Sequence, residues 1–373
     1  MYCIIDSFFY QLVMNTRYSI IYLTIFVFAF MAFVFEPGKE LDLYRWFYEE
    51  IPVISKYPLA DFISDQIDIY DDFMYQVTCI LAYKNGISLF FINSLYVGLY
   101  YYLVFKIINL YISINGIKLC QQDETIIILY SFISVLPILV FSIARMLASV
   151  DIIFLGIYFL LKKKRLLFFI LLLFSLVFHV GSIIFIFILF VGFLFYLLNV
   201  DKWITTVRMR YVLFSMLGCF LILFLPSSLN DMRILLLEME LFGQRYQNSS
   251  YLNSDDINSV FESTLWYLKT AKLITAFVLF VLIVNAKKIR IPANFGIAIY
   301  IVYCFVLGSM SFVGDRIMMF MPIYNGILMY EIVYNYEKRG KNPSWFFLLI
   351  CFQVFITVLS LLKERECFFP FLY

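Results

Sequence analysis

The stretch Leu166–Leu198 constrains the fold of this chain more than any other: it runs 33 residues without an Asp, Glu, Lys or Arg. A single helix over that length would be about 50 Å long, well beyond the roughly 30 Å hydrocarbon core of a bilayer. The run therefore predicts two short spans, broken near His179-Val180-Gly181-Ser182, where the only histidine of the chain stands. It belongs to a longer apolar segment, Phe141 to Val191, which also holds Arg145 and the Lys162-Lys163-Lys164-Arg165 cluster. An ionisable side chain among apolar residues that fill a bilayer costs on the order of 3 kcal/mol, which makes Arg145 and His179 candidates for function.

Composition fixes the class. The chain is 64% hydrophobic and only 14% charged, against about 25% charged in a soluble domain, and its mean hydropathy is +0.91. This predicts an all-α polytopic integral membrane protein. A net charge of +2 with no basic stripe argues against a nucleic-acid partner. The 7 cysteines are scattered without a CxxC pair and form neither a disulfide framework nor a zinc site. Met1 to Met14 lacks a basic n-region and a small-residue cleavage site, so it is not read as a signal peptide.

Apolar runs place about 11 transmembrane helices in a single membrane domain, 1–373. The first spans are expected at about Tyr18–Phe35, Ile87–Ile108, Thr125–Ser142 with Pro137 tolerated inside it, and from Arg145 to the KKKR cluster. The two halves of Leu166–Leu198 follow. Later spans are expected at about Tyr211–Leu225, Leu265–Asn285, Ala293–Val313, Ile317–Val333 and Ser344–Leu362. Phe73–Tyr83 reads as a weakly amphipathic piece lying in the interface. No internal repeat or soluble domain emerges.

Orientation follows from charge. From Glu36 to Asp72 there are ten acids and three bases, which disfavours a cytoplasmic position. The basic clusters at 162–165, 202–210, 287–290 and 338–341 all fall on the cytoplasmic side of this topology only if Leu166–Leu198 is split in two. The outer, periplasmic loops are then about 36–86 and 227–264. Arg145, His179, Asp315-Arg316 and the loop with Arg233 and Arg245 all reach the same outer face. Arginines there suit an anionic group whose apolar part stays in the membrane, because guanidinium binds phosphate oxygens bidentately and keeps its charge. A lipid pyrophosphate is such a ligand. The histidine can take a proton from a sugar hydroxyl.

The order of these features resembles the EpsG-type branch of the Wzy polysaccharide polymerases. An acidic outer loop precedes Arg145, then come KKKR, FHVGS and finally GDRIMMFMPIY. The resemblance covers roughly residues 18 to 340. Arg145-Met146 stands where family members commonly carry Arg-Gln. Phe178, His179 and Ser182 match a Phe-His-x-Ser-like step, and Arg316 with Phe320 matches a late Arg followed by an aromatic. The resemblance implies a GT-C-like glycosyltransferase in the bacterial cytoplasmic membrane, its site facing outward. It implies transfer of an undecaprenyl-pyrophosphate-linked oligosaccharide onto another lipid-linked repeat unit, with O-antigen as the expected product, without cofactor or metal. Arg145 and Arg316 would hold the leaving pyrophosphate, helped by Arg245 and Asp315, and His179 would activate the acceptor hydroxyl. A chain-length regulator is a further partner implied by the family alone.

Plainer readings stand beside these. Arg145 can snorkel to the interface, His179 can cap a helix, and Asp315 with Arg316 can be a local ion pair. Tyr44, Trp46 and Tyr48 read as an interfacial belt, and Asp61, Asp65, Asp68, Asp71 and Asp72 as a solvated face, since their spacing fits no EF-hand loop. A flippase or transporter of lipid-linked oligosaccharide, or an O-antigen ligase, remains the alternative. The gathering of charge at helix ends favours an enzyme over a transporter.

Overall fold

The computed structural model describes residues 2–35, 45–69, 73–116, 119–198, 278, 281–282, 297–302, 317–338 and 344–363. Every regular element among them is helical: α1 Tyr2–Val34, a π-helical turn Arg45–Glu50 running into α2 Ile51–Ile54, α3 Leu59–Ile69, α4 Met74–Lys84, α5 Leu89–Asn115, α6 Gln121–Ile133, α7 Pro137–Ser142, α8 Ala144–Leu161, α9 Arg165–Phe178, a 3-10 turn Val180–Ser182, α10 Ile183–Leu197, α11 Met321–Glu337 and α12 Ser344–Lys363. Of these, α5 and α8 are long and apolar enough to cross a membrane, and stretches of α1, α9, α10 and α12 form shorter apolar helices. The expected spans at 211–225, 265–285 and 293–313 lie largely outside the described residues.

Ring contacts and hydrogen bonds fix the helix directions. Tyr18 and Tyr22 of α1 meet Phe105 of α5, and Phe28 stacks on Tyr101 at 4.6 Å, so α1 and α5 are antiparallel. Near the start of α5, Asn93 binds the Phe141 carbonyl, and further along Tyr100 stacks on Phe154, so α5 and α8 run the same way. The Tyr100 hydroxyl donates to the Met319 carbonyl at 2.6 Å and the Tyr111 hydroxyl to Glu331 Oε1 at 2.9 Å, which sets α11 parallel to α5. Tyr330 reaches back to Glu124 and Gly326 lies on Ser131, so α6 opposes α11. These alternating directions are those the charge pattern predicts.

At the centre stands α11, with every residue from Met321 to Val333 buried. It is surrounded by α5, α6 and the rings of Phe154 and Phe185, which both meet Phe320. Gly326 is required there: a Cβ would come within 2.5 Å of Ile108 Cδ1 and would press on Ser131.

The fourth expected span is α8, and α9 packs back along it through the turn Lys162–Lys164. Lys163 takes the left-handed conformation in that turn (φ 64°), while Lys162 lies 4.5 Å over the Tyr158 ring.

The break in Leu166–Leu198 falls where the sequence put it, between Phe178 and Ile183. Phe320 touches Phe154, in the middle of α8, at 5.4 Å and Phe185, in the first turn of α10, at 5.0 Å. By Phe185 the chain has therefore turned back from the end of the bundle at which α8 begins, here the Arg145 end.

Two expectations need correction. The helix of the first span extends back to Tyr2, while its apolar stretch is Tyr18–Val34, as expected. Thr125–Ser142 is not one helix through Pro137: α6 stops at Ile133, Leu136 is extended (φ −65°, ψ 121°) and α7 restarts with Pro137 in its first turn. The proline ring clashes with a helical residue before it, so Leu136 leaves the helix. Side chains from other helices satisfy the exposed carbonyls: Gln353 donates to Ile133 at 2.7 Å and Asn93 to Phe141 at 3.0 Å. Finally, Phe73–Tyr83 is not a surface piece. Its helix α4 buries Tyr75, Gln76, Val77, Cys79, Ile80 and Ala82 and packs on α2, α5 and α9. A low hydrophobic contrast around this helix reads as weak amphipathicity in the sequence, whereas the cause is that most of its circumference is covered. As expected, Asp61 and Asp65 are exposed on α3.

Candidate active site

The candidate site lies where two interruptions of the helical pattern come to the same end of the bundle. Ile143 (φ −110°, ψ 57°) separates α7 from α8, so Arg145 enters on the first turn of α8. It is half-buried, with its Nη1 atom sealed from solvent. An arginine side chain on a helix leans toward the N-terminus, which directs the guanidinium to the Arg145 end. The charge lies within electrostatic reach of the Tyr75 hydroxyl and the Cys79 thiol of α4. Burial pushes that thiol up to about 12, which Tyr75 and Arg145 offset only in part. The Tyr75 ring in turn lies 5.8 Å from that of Tyr96 on α5.

His179 closes α9. Its backbone is extended (φ −163°), its N–H donates to the Ser175 carbonyl at 3.1 Å, and its carbonyl accepts from Ser182 N at 2.9 Å. The hydroxyls of Ser175 and Ser182 meet at 3.3 Å beneath the turn. The imidazole is 3% exposed and folds over Gly181, where a Cβ would stand 2.7 Å from Nε2. Glycine is thus what lets the ring lie flat on its own turn. The 3-10 turn packs on α8. Because α8 and α9 are antiparallel neighbours, Arg145 and His179 share one end of one hairpin.

That pairing is the part of the sequence-derived site found among the described residues. Arg316, Asp315, Arg245 and Arg233 lie outside them. What the sequence reading missed is Asp151, 1% exposed on α8 with neither carboxylate oxygen hydrogen-bonded. The rule that singled out Arg145 applies equally to a lone acid in ARMLASVDIIFLGIYFLL, so the signal was present. Gln76 and Asn93 were missed as well; both are buried and each has an unbonded carbonyl oxygen. The inference that charge gathers only at helix ends fails at Asp151, and also at Glu331, buried near the far end of α11. The described residues that can hold a cation together are Cys120, Asp123 and Glu337, within 4.8 Å of one another at the lysine end. They are far from Arg145, and burial with the contact to Asp123 raises the Glu337 carboxyl.

Long apolar helices packed around a buried centre, with a guanidinium and an imidazole at one end, define a helical membrane protein with a polar site. The EpsG family model matches residues 17–373, nearly the whole chain. The chain belongs to the EpsG family, whose members are polysaccharide-polymerase-type membrane proteins. No curated protein and no solved structure matches it.

Proposed function

We propose that this chain is a polymerase of bacterial surface polysaccharide, with O-antigen as its product. It would be a GT-C-like glycosyltransferase of about 11 spans in the cytoplasmic membrane, with the Arg145 end facing outward. It moves an oligosaccharide from one undecaprenyl pyrophosphate carrier onto a repeat unit held by another. The observation that supports this reading is that Arg145 and His179 stand at the same end of the α8–α9 hairpin. In the transfer, the bond between the sugar C1 and the pyrophosphate oxygen breaks, with its electron pair leaving on the pyrophosphate. Arg145, with Arg316 and Arg245, stabilises that developing charge, and Asp315 takes part in binding the substrate. The acceptor hydroxyl bonds to C1 and gives its proton to the His179 imidazole. A chain-length regulator acts beside it as a partner.

Deleting the gene and resolving the surface glycolipid by chain length tests the reading. A ladder that collapses to one repeat supports a polymerase, and an unchanged ladder sinks it. Arg145→Ala and His179→Ala, at normal membrane level, are expected to give the same single-repeat product, and long chains in both variants would leave these residues structural. A flippase is the second reading, favoured by Asp151, since intramembrane acids are a transporter feature. It predicts loss of even the single repeat, as does a ligase.

A further inference from the structure

Asp151 is surrounded by groups that are already engaged or aimed elsewhere. The hydroxyls in its electrostatic reach belong to Tyr96 and Tyr100 of α5. That of Tyr100 is committed to the Met319 carbonyl at 2.6 Å, and neither Asp151 oxygen receives a hydrogen bond. One layer nearer the Arg145 end is Asn93, on the same side of α5. Its Nδ2 is fixed on the Phe141 carbonyl at 3.0 Å, and its Oδ1 is buried without a donor. Since α5 and α8 run parallel, with Asn93 beside Phe141 and Tyr100 on Phe154, Asn93 is level with Arg145. Asp151, six residues on, lies ~9 Å further along the helix.

The unsatisfied atoms of Asn93 and Asp151 are oxygens, an amide carbonyl and a carboxyl, each able to accept a hydrogen bond. Such atoms sealed from water carry a penalty of about 1–3 kcal/mol each, more for a charged group, so a ligand that donates is strongly favoured. A cation would serve, yet it would face the Arg145 guanidinium through a low-dielectric interior, where like charges repel. A sugar ring brings several hydroxyl donors and no charge.

We propose that Asn93 and Asp151 form the subsite for the sugar bonded to the pyrophosphate, which rests on the reading that Arg145 holds that pyrophosphate. A sugar joined to a phosphate at Arg145 and turned into the bundle lies at the level of Asn93, and its far hydroxyls extend toward Asp151. Tyr96 connects the subsite to α4, its ring 5.8 Å from that of Tyr75. Both side chains are buried in this structure.

The test uses the full chain in lipid nanodiscs and two probes. One is the lipid-linked repeat unit extracted from polymerase-deleted cells; the other is undecaprenyl pyrophosphate without sugar. Asp151→Asn is expected to weaken binding of the first at least ten-fold and to leave the second within two-fold, while Arg145→Ala weakens both. Asn93→Ala removes the upper acceptor and also frees the Phe141 carbonyl beside Arg145, so it weakens both probes, the repeat unit more. Unchanged binding of the repeat unit by Asp151→Asn and Asn93→Ala overturns the subsite and leaves the polymerase reading standing. Equal loss of both probes overturns it as well, by making Asp151 structural. Binding that depends on sodium in the wild type and not in Asp151→Asn assigns the acceptors to a cation instead. A wild type that binds neither probe overturns subsite and polymerase together.

Discussion

Two acids are buried among the described residues of this bundle, and they are treated in opposite ways. Glu331, near the lysine end of α11, accepts the Tyr111 hydroxyl at 2.9 Å, and the adjacent Tyr330 donates to Glu124. Asp151, near the Arg145 end of α8, has two tyrosines within electrostatic reach and a bond from neither. The same residue types are thus arranged as closed pairs at one end and left open at the other. Closed pairs tie α11 to α5 and α6 and add stability. An open carboxyl costs stability, and a fold carries such a cost where a ligand completes the site.

Variants can break or sharpen that contrast. The largest effect is expected at the centre: Gly326→Leu forces a side chain into Ser131 and Ile108, at about 3 kcal/mol or more. Loss of monodisperse protein on size exclusion is the readout, and a well-behaved variant would show that α11 has room to shift. Next comes the closed pair. Tyr111→Phe strands the Glu331 oxygen and is expected to cost about 1–3 kcal/mol, measured as a lower thermal midpoint in detergent. Asp151→Asn should leave that midpoint unchanged or raise it, because it breaks no hydrogen bond. Equal destabilisation by the two would erase the distinction between the ends.

Gly181→Ala acts on geometry with little change in stability. Its methyl displaces the His179 ring, and polymer formation is expected to fall roughly a hundred-fold while the midpoint moves little. Unchanged polymer would mean that the ring position is immaterial. The smallest effect concerns the exposed contact of Glu337 with Asp123. Burial first and Asp123 second hold the Glu337 carboxyl above its usual value. This contact therefore adds stability in acid, below the ordinary carboxylate range, and loses it as pH rises through the raised folded-state value. Glu337→Gln should flatten that slight decline of thermal midpoint with pH; an identical profile would assign the decline to other groups.

The broad architecture was legible because bilayer thickness is a ruler. A run of Leu166–Leu198 cannot be one span, and the break appeared where glycine, serine and histidine interrupt it. Helix directions followed from lysines and arginines for the same reason, since charge has few places to go in a membrane. The proline break was misjudged because its stabilising partners are remote: Gln353 and Asn93 supply hydrogen bonds that no local pattern announces. The burial of α4 was hidden for a related reason. Its sequence has to suit several neighbours at once, which erases the one-sided pattern of a surface helix. Arg145 and His179 drew attention because each is rare in its surroundings. Asp151 was as rare, but it drew no attention without a basic or helix-breaking neighbour.

The carbonyl of Ile133, left open where α6 stops short of Pro137, is satisfied by Gln353, 220 residues further along the chain. During synthesis the helices from α1 to α9 are made long before that glutamine. Until then the backbone leading to Arg145 holds an unanswered acceptor in a solvent that cannot answer it. Maturation of the site is therefore timed by a distant part of the chain, and a protein truncated before Gln353 is expected to insert its earlier helices yet hold Arg145 loosely.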